Sequence, residues 1–209
     1  MGRVFLVGQG ESIHKAARFL GRKTKMNHYG GKELATAFRT VRKNTIQVAE
    51  DIPESKYDFK ATPDTRTIAQ TLVHIGFGPE FAFAVHGDKV TDMTKLNFPE
   101  LMQRIGAEEA KVRNKAEIVA LLKTQGERFA SFVEVLPDSF LAEVLTMPPG
   151  GSPATRTRFD MLLAAKEHEM HHRGQLMLLE RLVGVVPHLT RQRQAQMAAR
   201  AQAAQTPNK

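Results

Sequence analysis

Leu34, Phe38, Val41, Thr45, Val48 and Ile52 recur at alternating intervals of four and three residues, so they share one face of a helix. This period constrains the fold more than any other feature, and it returns along the chain. After a break holding Pro53 and Pro63, a second helix is expected from Thr67, a capping hydroxyl, to about Val85, with Gly87 as its stop. Gly76, Gly78 and Pro79 fall inside it and predict a kink or bulge. Asn114 with Glu117 three residues on starts a third long helix. Its expected inner stripe is Ile118, Leu122, Gln125, Phe129, Phe132 and Leu136, and Pro137 stops it. A fourth runs from about Arg158 to Val183, with Gly184 and Pro187 after it. A short helix is expected around 99–105, a loop over the Pro- and Gly-rich stretch 146–158, and no strand of convincing length. Long amphipathic helices joined by turns and loops predict an all-α four-helix bundle over 26–190.

The net charge of +8 suggests at first a nucleic-acid binder. Its distribution argues otherwise. Residues 1–25 carry six basic side chains against Glu11, and residues 191–209 carry Arg191, Arg193, Arg200 and Lys209 with no acid. The span 26–190 is left at −1, so contact with nucleic acid is expected only through these ends. Residues 1–25 read as a disordered extension, or as the product of an upstream start before Met26. Their Gly8-Gln9-Gly10 run has Ile13 where a dinucleotide fold needs its third glycine. Residues 191–205 hold only Arg, Gln and Ala apart from Met197, a composition that favours helix but offers almost no apolar face, and a frayed or disordered tail is expected. No apolar leader or membrane-spanning stretch is evident, and a cytoplasmic protein is expected. Cysteine is absent, which excludes thiolate metal sites and any thiol nucleophile from the chain itself.

That leaves histidine. Of eight in the chain, three lie in the run Glu167-His168-Glu169-Met170-His171-His172-Arg173-Gly174-Gln175. His168 and His172 fall on the apolar stripe of the fourth helix with Met161, Ala165, Leu176, Leu179 and Val183. Four residues apart, their Cβ atoms lie about 5–6 Å from each other, close enough for two imidazoles to meet one ion. Two adjacent imidazoles in an apolar stripe repel when charged and need partners when neutral, and a divalent cation satisfies both. The competing reading is a pair of core histidines bonded to carboxylates of neighbouring helices. His74, in the middle of the second helix between Val73 and Ile75, is the candidate third ligand, or else a satisfied core histidine. His171 points off the stripe, and His86, near the helix end, is expected to be solvated.

His168-Glu169-Met170-His171-His172 also fits H-E-x-x-H, the zinc-protease signature in which Glu169 would be the general base. The longer metzincin pattern fails, with Gln175 at its glycine and Leu178 at its histidine. The only acid downstream is Glu180, on the same helix, so a third ligand must come from upstream. The protease is the least favoured reading.

Three stretches, Thr67 to Ile75, Lys166 to Gln175 with H-x-x-x-H-R-G-Q, and Leu182 to Pro187 with L-x-G-x-x-P, resemble the DinB/YfiT-like (damage-inducible) superfamily of bacterial proteins. The resemblance covers about 30–190. It implies a four-helix bundle, frequently a homodimer, with a divalent metal, zinc or nickel, on His74, His168 and His172. Relatives include metal-dependent transferases of low-molecular-weight thiols and a maleylpyruvate isomerase. The expected function is therefore a metal-dependent thiol transferase, or a related hydrolase or isomerase, acting on a small molecule. The alternative is a non-enzymatic metal-binding protein of stress response. Glu169 or Glu167 would orient an imidazole or move a proton, Arg173 would bind an anionic group or pair within the bundle, and Gln125 would face the site or bond another helix. Gly78-Pro79 departs from an unbroken helix and puts the placement of His74 in question.

Overall fold

The chain's fold is given by a computed structural model that describes residues 29–205. The 1–25 extension and Met26 lie outside them. Helix α1 (Gly31–Asp51) buries the whole expected stripe from Leu34 to Ile52. Helix α2 (Ile68–Phe77) starts on a capping box: Thr67 Oγ1 accepts from Gln70 N at 3.0 Å and Gln70 Oε1 accepts from Thr67 N at 2.9 Å. The short α3 (Pro79–Ala82) and a π-helical turn (Phe83–Gly87) continue its course. Helix α4 (Phe98–Glu109) precedes α5 (Lys115–Glu134), which Asn114 and Glu117 cap reciprocally. After α6 (Asp138–Leu141), strands β1 (Val144–Thr146) and β2 (Thr155–Thr157) pair antiparallel where a loop was expected. Helix α7 (Arg158–Leu182) is followed by α8 (His188–Gln205).

Four helices make the bundle. Helix α1 packs against α5 and α7, and α2 packs against the same two. The consecutive helices α1 and α2 therefore lie on a diagonal, and the histidine-bearing helices α2 and α7 become neighbours.

At the crossing of all four lies a buried guanidinium. Arg42 of α1 is 3% exposed, and its Nε donates to Oε1 and Oε2 of Glu169 on α7 at 2.9 and 3.0 Å. Its Nη1 donates to the Leu122 carbonyl of α5 at 2.7 Å and its Nη2 to the Ile75 carbonyl of α2 at 3.3 Å. Pro79 contributes to the last contact: it has no N–H to give the carbonyl four residues back, which accepts instead from Gly78 N at 3.3 Å and from Arg42. Gly126 makes room, since a Cβ there would stand 2.6 Å from Arg42 Cγ. The inner face of α5 accordingly carries Gly126 and Val133 in place of the expected Gln125 and Phe132, which are half-buried.

Three further expectations need correction. Residues 191–205 are helical. Ala, Gln and Arg favour helix intrinsically, and the start of α8 is anchored by buried His188, whose Nε2 lies 3.2 Å from Asn44 Oδ1, and by Arg191 on Asp51 at 2.7 Å. His86 is 2% exposed beside Arg158, and burial above all pushes it down to about 4. The 20-residue segment Ile68–Gly87 reaches a mean hydropathy of 1.2 in an 18-residue window, long and apolar enough to cross a membrane by length and composition. Here Ile68, Leu72, Val73, Ile75 and Phe77 from it form bundle core.

Two predictions follow from buried charge. Removing one partner of a buried ion pair costs about 3–5 kcal/mol. In a chain of this size that lowers the melting temperature by roughly 6–20 °C. Arg42→Met and Glu169→Leu are each expected to show such a fall in calorimetry, and the double variant to lose less than their sum. The second concerns Glu180, fully buried with neither side-chain oxygen hydrogen-bonded. Burial, helped by Asp51, raises its carboxyl from 4.5 to about 7. The folded chain then holds a proton that the unfolded chain has released, so stability falls as pH rises through that window. Glu180→Gln is expected to raise the melting temperature at pH 8 and to leave it unchanged at pH 4.

Candidate metal centre

His74 comes from the second turn of α2, and His168 and His172 from successive turns of α7. One ligand nitrogen from each lies within 4.8 Å of the others, a set able to hold a metal ion. The rings meet edge to face, with centroids 4.6–4.9 Å apart.

The far side of two rings is held. His74 Nδ1 lies 2.8 Å from Glu109 Oε1 and His172 Nδ1 lies 2.8 Å from Gln175 Oε1. An oxygen acceptor at Nδ1 puts the proton there and leaves the Nε2 lone pair facing inward, the support that metal-binding imidazoles ordinarily have. Gln175 in turn donates from Nε2 to His171 Nε2 at 3.2 Å. Burial pushes His168 down to about 4, and the neighbouring His172 and His74 act in the same direction. Burial lowers His172 as well, against its bond to Gln175. Both rings are therefore neutral at physiological pH, the form that binds metal.

The residues fit a divalent cation. His74 Nε2 and His168 Nε2 are 3.1 Å apart. Two nitrogens about 2.0–2.1 Å from one tetrahedral zinc stand roughly 3.3 Å from each other. Three protein ligands are also the number that catalytic zinc sites use.

Gly78 accounts for the break after α2. A Cβ at this position would lie 3.1 Å from His168 Nδ1. The glycine lets α7 bring its imidazole against the end of α2, and with Pro79 it permits the approach of His74 and His168.

Two cavities flank the imidazoles. The larger, about 330 Å³, is lined by His74 and His168 together with Phe77, Phe81, Phe98 and Met161. The other, about 270 Å³, opens on His172 with Arg66, Thr71 and Gln175.

The structure thus brings together His74, His168 and His172. It takes Glu169 elsewhere: 2% exposed, with both oxygens on Arg42, it lines neither cavity. Glu167 and His171 are exposed, Arg173 Nη1 donates to the Val41 carbonyl at 3.4 Å, and Gln125 accepts from Arg128 Nη1 at 3.2 Å. Glu109 has no local sequence signal, because only the packing of α4 against α2 brings it to His74. Gln175 was visible three residues beyond His172, a spacing that puts both on one helix face.

The model of the DinB superfamily matches residues 37–176, and the chain belongs to that superfamily. No curated protein matches it. Among solved structures it is similar to the DinB-like protein YjoA of Bacillus subtilis, at 21% identity and a TM-score of 0.54, over 73% of this chain and 92% of that one. It is also similar to YfiT of Bacillus subtilis, described as a probable metal-dependent hydrolase with an unusual four-helix bundle topology. There the identity is 16% and the TM-score 0.57, over 74% of this chain and 88% of that one. Both likenesses show the fold.

The outer partners of the imidazoles give a prediction. Loss of such a partner typically costs 10–100-fold in metal affinity. Glu109→Gln is expected to weaken zinc binding by about that factor in a competition titration, with the melting temperature little changed.

Proposed function

We propose that this protein is a divalent-metal-dependent transferase of a low-molecular-weight thiol, with zinc or nickel held by His74, His168 and His172. The observation that carries the reading is the convergence of these three imidazole nitrogens, backed by Glu109 and Gln175 and opening on two cavities. A cation held there favours the thiolate over the thiol and so supplies a nucleophile at neutral pH.

The chain's own residues do the rest. Glu109 and Gln175 fix the tautomers and ring planes of His74 and His172, which limits reorganisation when ligands bind. The aromatic side chains of the larger cavity exclude water from the reacting groups. Arg66 supplies positive charge beside His168 and His172, suited to an anionic group on the thiol. In the transfer, the sulfur forms a bond to an electrophilic carbon and the leaving group departs with its bonding electron pair. With no cysteine in the chain, the sulfur comes from the cosubstrate.

Hydrolysis is the second reading, favoured by the description of YfiT. The two are separated by loading the protein with zinc or nickel and supplying either glutathione with 1-chloro-2,4-dinitrobenzene or 4-nitrophenyl acetate without thiol. Thioether formation that disappears in His172→Ala is the expected result. Ester hydrolysis with no thioether would favour the hydrolase, and neither activity together with no bound metal would overturn both.

A further inference from the structure

Helix α4 lies across the open side of the larger cavity and turns one face to it. Phe98, Met102, Ile105 and Glu109 lie along that face. Glu109 is the residue bonded to His74, so one helix both orients a ligand and walls the cavity. Only Leu101 of its twelve residues is fully buried. The helix therefore contributes little to the bundle core, and its apolar face meets the cavity.

The polar groups at this cavity are few, and each has at least one bonding atom engaged. His74 and His168 face each other at 3.1 Å, Glu109 holds His74 Nδ1 at 2.8 Å, and Arg156 Nε is on Asp160 at 2.6 Å. All other lining side chains are apolar. At about 330 Å³ the cavity is at the small end of ligand sites, which span roughly 300–1,000 Å³. Phe98 at the rim is 51% exposed and in edge contact with Phe81, ring centroids 6.3 Å apart. An aromatic side chain half in water at the mouth of an apolar cavity gains most when a ligand covers it.

We propose that this cavity receives an uncharged electrophile with an aryl or branched-alkyl body, and that Phe98, Met102 and Met161 set that preference. The proposal deepens the transferase reading and rests on it for the word electrophile. Met102 and Met161 adapt their shape, so the cavity selects for apolarity and size over one outline. A carboxylate or phosphate on the body would lose its hydration against a largely apolar lining whose one guanidinium, Arg156, is already paired with Asp160, a cost that disfavours an anionic body. The polar and basic surroundings of His172, with Arg66, are left to the thiol.

The test uses the full chain, with zinc bound and after treatment with chelator. Two fluorescent probes share their rings and differ in charge: neutral N-phenyl-1-naphthylamine and its sulfonated analogue 1-anilinonaphthalene-8-sulfonate. The neutral probe is expected to bind with one-to-one stoichiometry and at least tenfold more tightly. Phe98→Ala is expected to weaken it at least threefold, and Met102→Asp, at a half-buried rim position that keeps the fold, at least tenfold. Equal or tighter binding of the sulfonated probe, no binding of either, or no effect of both substitutions would overturn the proposal. The chelated arm keeps the two readings apart, because the apolar lining does not depend on metal. Probe binding without any metal uptake would count against the transferase alone, whereas metal uptake without the probe preference would count against the apolar cavity alone.

Discussion

Everything in this bundle turns on Arg42. One side chain from α1 ties Glu169 of α7, a carbonyl of α5 and a carbonyl of α2. A charge at 3% exposure is tolerable only because its donors are met by a carboxylate and by carbonyls. The requirement is reciprocal. Gly126 must stay small, Glu169 must point into the bundle, and the Ile75 carbonyl must lack its ordinary donor at Pro79. Each of those demands fixes the rotation or height of one helix against its neighbours.

The imidazole cluster is the consequence. With Glu169 turned to Arg42, its neighbour His168 and the ring one turn later, His172, face α2. With α2 interrupted at Gly78-Pro79, His168 can approach within hydrogen-bond distance of His74. The helices that bring the three imidazoles together, α2 and α7, are separated in sequence by α5 among the four bundle helices, yet they are adjacent because α1 and α2 lie diagonally. The H-E-x-x-H run is thereby divided between two tasks. Its histidines face the site, and its glutamate holds the bundle together.

Much of this was legible in the sequence. The apolar period gave the four helices, and the caps Thr67 and Asn114 set where two of them begin. The i, i+4 histidines on an apolar stripe were sufficient to raise a metal. What could not be read was contact between elements far apart in the chain. Arg42 is a polar residue beside an otherwise apolar stripe, and nothing nearby in sequence shows that its partner is 127 residues away. Glu109 depends likewise on how α4 lies against α2. Residues 191–205 misled for another reason: an element without an apolar face has no tertiary signal, yet intrinsic propensity and an anchored first turn suffice for a helix.

The central claim is that this framework holds three imidazoles around one divalent ion. X-ray absorption at the zinc edge, on the full chain loaded with one equivalent, tests it most directly. The account requires a first shell with three imidazole nitrogens at about 2.0–2.1 Å and a low coordination number, falling to two imidazoles in His74→Ala. A shell of oxygens alone, or a spectrum unchanged in His74→Ala, would contradict it.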